Sequence, residues 1–248
     1  MDSNISNEEG RPLHINCDMG ESFGRYRLVE EELLMPYIDA CNIACGFHAG
    51  DPVVIESTIK LALEQGLEIG AHPSYPDQQG FGRRFMEMTS NDITAFVCYQ
   101  VCAVKGIVES LGGTLSHVKP HGALYNRASK DELVAGAIIQ SCQRISPDLI
   151  LYLPPSSRIH QLAVEMNATY RLEGFIDRHY NSNLQLKSRS LPDAVITDPM
   201  EAREHALGIW NTQRVCIDRD KTKEMSCDTM CIHGDNPNAL QILKAIRD

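Results

Sequence analysis

The sequence predicts an α/β fold, a parallel (β/α) barrel of about seven strands and TIM-barrel-like in form, and three observations predict it. Short apolar, β-prone runs alternate with longer segments of helical period, the pattern of βαβ units around a parallel sheet. The chain has 248 residues, about the length at which one such barrel closes. The unusual polar residues follow the apolar runs, and a parallel barrel points every strand C-terminus at one face. A doubly wound open sheet is the structural alternative, because periodicity does not report closure.

Candidate strands are Leu13–Cys17, Cys41–Cys45, Leu67–Ala71, Leu115–Val118, Leu149–Leu153, Thr169–Phe175 and Thr229–Ile232, with a further short run at Ala194–Ile196. The clearest helix is Ser90–Leu111, where Ile93, Phe96, Val97, Val101, Val104, Ile107, Val108 and Leu111 recur at three- and four-residue steps. Thr89-Ser90-Asn91-Asp92 fits a capping box at its start, and Gly112-Gly113 tolerates the left-handed turn at its end. Asp51-Pro52, Asp198-Pro199 and Asn236-Pro237 mark other helix starts, with Pro where its missing N–H costs nothing. No linker, repeat or low-complexity tract divides the chain. Residues 1–12 therefore form a polar N-terminal extension and 13–248 one barrel domain. Pro73–Met88 and Asp177–Asp193 break the rhythm and suit long loops at an active-site rim.

A formal net charge of −10 opposes binding to nucleic acid or anionic membranes, since both draw on clustered Lys and Arg. Apolar residues make up 43% of the chain, enough for a sizeable core, yet no run approaches the roughly 18 consecutive apolar residues of a membrane helix. The acidic N-terminus lacks a secretory layout, so the chain is expected in the cytoplasm. Nine cysteines, three pairs of them at a four-residue offset, read as reduced and mostly buried thiols rather than C-x-x-C metal or redox motifs.

Candidate chemistry gathers at the strand ends: Asn16 and Asp18, then His48, His72, Lys119 with His121, and His233 with Asp235. Asp51 and Asp235 could be simple N-caps, and His48 and His72 hydrogen-bonded core imidazoles. Repetition after five strands weighs against capping alone. In Lys119-Pro120-His121-Gly122 a fixed ammonium can meet a carboxylate, a phosphoryl group or an oxyanion, and the adjacent imidazole can exchange protons. Asp18, His48 and His72 would suit a divalent metal, although no tight ligand spacing such as H-E-x-x-H is present. Arg83 and Arg84 could clamp an anion or form a solvated pair. There is no G-x-S-x-G elbow, Walker A loop or G-x-G-x-x-G.

Several blocks carry a resemblance. They are Asn16-Cys17-Asp18-Met19-Gly20-Glu21-Ser22-Phe23-Gly24, the run Asn42–Pro52 with Gly46-Phe47-His48, Gly70–Asp77 with Gly80-Phe81-Gly82-Arg83-Arg84, Val118–Asn126, Asp177-Arg178 with Tyr180, and His233-Gly234-Asp235. In this order, from about residue 13 to the C-terminus, they resemble the signature blocks of the LamB/YcsF family. The resemblance implies a barrel of the glycoside hydrolase/deacetylase type. It further implies the role of the 5-oxoprolinase A subunit, which with partner subunits B and C couples ATP hydrolysis, with Mg2+, to opening 5-oxo-L-proline to L-glutamate. Carried onto these positions, it implies catalytic roles for Asp18, His72, Lys119, His121 and Asp235, and substrate contacts at Asn16, His48, Arg83, Arg178, Tyr180 and His233. Lys119 and Arg178 would hold the substrate carboxylate or the phosphorylated oxygen. The chain departs from the family at Cys17, Met19 and Ser22, and at Asn181, where an acidic residue commonly follows the matched Tyr. Two other readings are a metal-dependent deacetylase or amidohydrolase, and a subunit that binds a metabolite without acting on it.

Overall fold

A computed structural model describes residues 11–28, 30–218 and 221–248; most of the expected N-terminal extension, residues 1–10, lies outside them. Seven parallel strands form a closed barrel: β1 (Ile15–Met19), β2 (Ala40–Ala44), β3 (Glu68–His72), β4 (Leu115–Val118), β5 (Ile150–Leu153), β6 (Tyr170–Phe175) and β9 (Thr229–Ile232). Between the last two, β7 (Arg214–Asp218) and β8 (Lys221–Glu224) make a separate antiparallel hairpin. Closure comes from β9, which pairs with β6 through Glu173↔Thr229 and with β1 through Asn16↔Cys231. The open-sheet alternative is thereby excluded.

Strands of a parallel barrel are buried on both faces, so they read as apolar runs broken by what points inward. β2 is buried at all five positions. Alternation sends Ile15, Cys17 and Met19 outward to the helices and Asn16 and Asp18 into the barrel. The outer layer comprises α2 (Pro52–Glu64), α3 (Ser90–Ser110), α4 (Gly122–Ala128), α5 (Glu132–Ile145), α6 (Arg158–Glu165), α7 (Pro199–Thr212) and α8 (Ala239–Arg247); a short α1 (Glu31–Leu34) follows β1. Asp51, Asp131, Ser157 and Asp198 cap α2, α5, α6 and α7, and the capping box at Thr89 and Asp92 opens α3. Among the described residues α3 alone is long and apolar enough to cross a membrane. Its stripe of Ile93, Val97, Val101, Val104 and Val108 is instead packed inward, toward α5 and the barrel.

Four details differ from the sequence expectations. Strand β1 lies two residues later than Leu13–Cys17, because Asp18 belongs to the sheet and faces inward. Ala194–Ile196 is no strand: it makes one bridge, Arg178↔Val195, and ties the Asp177–Asp193 loop down through Ile196 N, which donates to Asp177 O. The helix expected at Asn236-Pro237 starts at Ala239: Asn236 donates from Nδ2 to Asp177 Oδ2 and Ile196 O and accepts at Oδ1 from Asn238 N, forming a turn ahead of the helix. The β7–β8 hairpin was not expected, since β8 is exposed throughout and carries no apolar alternation. All nine cysteines are free and six are buried.

Candidate active site

A column of polar side chains fills the barrel. Asn16 Nδ2 donates to Thr229 Oγ1 at 2.9 Å, and Asn42 Nδ2 donates to Asn16 Oδ1 and Asp18 Oδ1, each at 2.8 Å. His117 Nε2 meets Asn42 Oδ1 at 2.8 Å. Above them stands Lys119, whose Nζ is 2.9 Å from Asp18 Oδ1, 3.0 Å from Glu173 Oε1 and 2.9 Å from Cys231 Sγ. Burial pulls the Lys119 ammonium down, but the neighbouring Asp18, Cys231 and Glu173 side chains more than reverse this and push the group well above its usual value. Burial likewise raises Asp18, and His72 with Lys119 more than reverses it, holding that carboxylate well below the usual range. The column thus ends in an Asp18–Lys119 ion pair, with the Glu173 side chain 3.0 Å from the same ammonium.

Beside it lie three imidazoles and a second carboxylate. His72 Nε2 is 3.2 Å from Asp18 Oδ2 and 2.9 Å from His121 Nδ1; His48 stacks on His121 with ring centroids 3.8 Å apart and Nε2 3.1 Å from Glu21 Oε1. Burial drives His48 and His121 well below the usual histidine value, so both are neutral at neutral pH. Glu21 goes the other way, raised to about 7 by burial and by the Asp18 charge. One donor atom from each of Glu21, His48, His72 and His121 falls within 4.8 Å of the other three. This set differs from the expected metal trio: Asp18 gives one oxygen to Lys119 and Asn42, and Glu21 with His121 completes the cluster.

The groups open onto a cavity of about 590 Å³ at the C-terminal mouth of the barrel, lined by Asp18, Glu21, His72, Lys119, His121 and Glu173 among others. Both long loops reach its wall, through Arg83 from one and Arg178, Tyr180 and Asn181 from the other. The sequence-predicted residues divide by depth. Asp18, His72, Lys119 and His121 come together, while Asn16 lies beneath them in the column and His48 behind them. Arg178 lines the wall, its Nε donating to Ala194 O and its Nη2 to Lys187 O; the Tyr180 hydroxyl accepts from Phe175 N. His233 Nδ1 meets Asp177 Oδ1 at 2.8 Å. Asp235 stands apart at the rim, paired with Arg83 at 2.8 Å and Arg189 at 3.0 Å, and caps no helix. Asp51 is the N-cap that its bland reading supposed. Arg84, the other half of the predicted pair, closes on Asp77.

Glu173 and Tyr125 were missed. Both line the cavity, and neither the Glu173 carboxylate nor the Tyr125 hydroxyl completes a well-aligned hydrogen bond with the described residues. The signal for Glu173 was present: Arg171, Glu173 and Phe175 alternate in a strand whose other face, Tyr170, Leu172 and Gly174, is uncharged, so the charged face had to enter the barrel.

The comparisons with known proteins agree on one family. Residues 13–248 match the LamB/YcsF family profile. The chain is 43% identical over 236 residues to the 5-oxoprolinase A subunit from Heliobacterium modesticaldum, covering 95% of this chain and 92% of that one. It is 44% identical over 235 residues to the protein of the same name from Pyrococcus abyssi, with the same coverage, 95% and 92%. A crystal structure of a lactam utilization protein from Thermus thermophilus superposes with a TM-score of 0.90 at 36% identity, covering 96% of this chain and 95% of that one. A shared barrel, a polar mouth and sequence identity that runs over nearly the full length place this chain in the LamB/YcsF family.

Proposed function

We propose that the chain is the A subunit of an ATP-dependent 5-oxoprolinase, which with partner subunits B and C opens 5-oxo-L-proline to L-glutamate. One observation carries the reading. A charged Lys119, flanked by two carboxylates, faces neutral imidazoles across the floor of a cavity large enough for a small cyclic amide. Relatives 43% and 44% identical over nearly the full chain bear that enzyme's name.

An unstrained lactam is a poor electrophile, which is why ATP is needed: a phosphoryl group on the amide oxygen makes the ring carbon more reactive and the oxygen a better leaving group. In this scheme Lys119 and Arg178 bind the substrate carboxylate or the phosphorylated oxygen. His121 and His72, oriented by Asp18, position water and carry the proton that the ring nitrogen gains when its bond to carbon breaks. Asp235, held between Arg83 and Arg189, keeps the rim cations in place.

The test is glutamate release from 5-oxoproline by the chain with its partner subunits, with and without ATP. Lys119→Ala and His121→Ala variants with wild-type circular dichroism are expected to lose the ATP-dependent product, each by about a hundredfold or more. Wild-type turnover in either would remove that residue from the scheme. The second reading is a metal-dependent amide hydrolase, favoured by the Glu21–His48–His72–His121 cluster. Amide cleavage that ignores ATP and stops with a chelator would replace the first reading by the second.

A further inference from the structure

The hydrogen-bond polarity around the three imidazoles fixes where their protons are. His72 Nδ1 lies 2.6 Å from the Lys119 carbonyl oxygen. A carbonyl only accepts, so Nδ1 carries a proton, while Nε2 turns to Asp18 Oδ2 at 3.2 Å and to His121 Nδ1 at 2.9 Å. His121 is reversed: its Nε2 donates to the Phe81 carbonyl at 2.8 Å, which leaves the lone pair on Nδ1. For His48 the argument takes one more step. Ser74 Oγ donates its proton to Tyr75 O at 2.9 Å, so it accepts from His48 Nδ1, also at 2.9 Å, and His48 Nε2 is bare.

Every ring therefore turns its second nitrogen to the same point. His72 Nε2 and His121 Nδ1 face each other at 2.9 Å, His48 Nε2 faces Glu21 Oε1 at 3.1 Å, and His121 Nδ1 lies 3.6 Å from that same oxygen. Nitrogen and oxygen atoms held this close need a proton or a metal ion between them. Protons would have to serve the two close contacts separately, one between His72 and His121 and one between His48 and Glu21. A single dication serves all four atoms at once.

We infer that Glu21, His48, His72 and His121 form a binding site for one divalent transition-metal ion, of the kind imidazole and carboxylate donors select, with Zn2+ foremost. The outward ring N–H of each histidine, tied to a carbonyl or hydroxyl, is the arrangement that orients metal-binding imidazoles. Glu21, His72 and His121 also line the cavity, so an ion held there is reachable by a bound ligand, while His48 closes the far side. When bound, such an ion polarises a carbonyl or phosphoryl oxygen. The site rests on the convergence of these four donor atoms and not on the lactam reading; with an ion bound, His72 and His121 hold the ion and no longer carry the proton which that reading gives them.

The full chain, stripped with a chelator, is titrated with Co2+ while visible ligand-field absorption and heat are followed, and Zn2+ is then added in competition. One Co2+ per chain, displaced by Zn2+, is expected. His48→Gln, which removes one donor, and Ser74→Ala, which removes only the hydroxyl that orients it, are each expected to weaken binding about tenfold or more. Should the His48 variant fail to fold, the Ser74 variant alone decides. Absence of stoichiometric uptake, or uptake that a folded Ser74→Ala or His48→Gln chain retains in full, overturns the site. Because the readout is the ion and not turnover, a chain that binds Co2+ but opens no lactam leaves this site standing and removes only the proposed function.

Discussion

Gly70 sits mid-strand in β3, and a Cβ built there would meet the His117 ring at 2.2 Å. His117 cannot yield, being bonded to Asn42 at 2.8 Å and Ser116 at 2.6 Å and stacked on Tyr152 with centroids 4.1 Å apart. Gly70→Ala is accordingly expected to destabilise the chain by roughly 1–3 kcal/mol, through overpacking. A urea midpoint equal to wild type would refute the close fit. In the sequence Gly70 looks like any turn glycine, because nothing local distinguishes a residue that makes a bend from one that vacates space for a side chain 47 positions away. Asp18, His72, Lys119 and His121 were legible for the opposite reason: each ends or follows an apolar run, so strand direction alone delivers it to the mouth. Glu173 and Asn42 lie inside their strands, where a polar residue reads as an interruption until closure shows that the barrel interior receives it.

Helix boundaries were readable where side chains cap the backbone. Thr89 Oγ1 accepts from Asp92 N at 3.2 Å, the Asp92 carboxylate accepts from Thr89 N at 3.3 Å, and α3 begins at Ser90 as the capping box requires. Thr89→Ala is expected to cost about 1 kcal/mol and Thr89→Ser much less, measured by chemical denaturation. Equal losses in the two variants would show that the methyl group, and not the hydroxyl, holds the helix start. The β7–β8 hairpin was not readable, because its order comes from backbone pairing such as Arg214↔Glu224 and Val215↔Lys223 and not from a buried face. The long loops were legible as interruptions. What each contributes to the wall was not, since Arg178 is aimed by carbonyls at positions 187 and 194, contacts that no periodicity encodes.

Across the whole molecule, the buried polar column makes stability depend on pH. Burial lowers His117 to about 3. Its folded pKa lies below the unfolded value of about 6.5, so the unfolded chain binds the extra proton as pH falls. The contribution is present above pH about 6.5 and is lost progressively between there and about 3, at up to about 1.4 kcal/mol per pH unit. Folding free energies from urea titrations at successive pH values in that window should fall less steeply in His117→Gln than in wild type. Parallel slopes would mean that His117 takes up its proton without unfolding.

The same column has a mechanical consequence. In most barrels of parallel strands the stagger of neighbouring staves is set by backbone ladders and by apolar side chains that tolerate a shift. Here Asn16, Asn42, His117 and Thr229 join β1, β2, β4 and β9 through hydrogen bonds aimed at single atoms. Sliding one stave by a rung would break this internal chain together with the ladder, so the barrel's shear is specified twice, and the geometry of its mouth is locked from below.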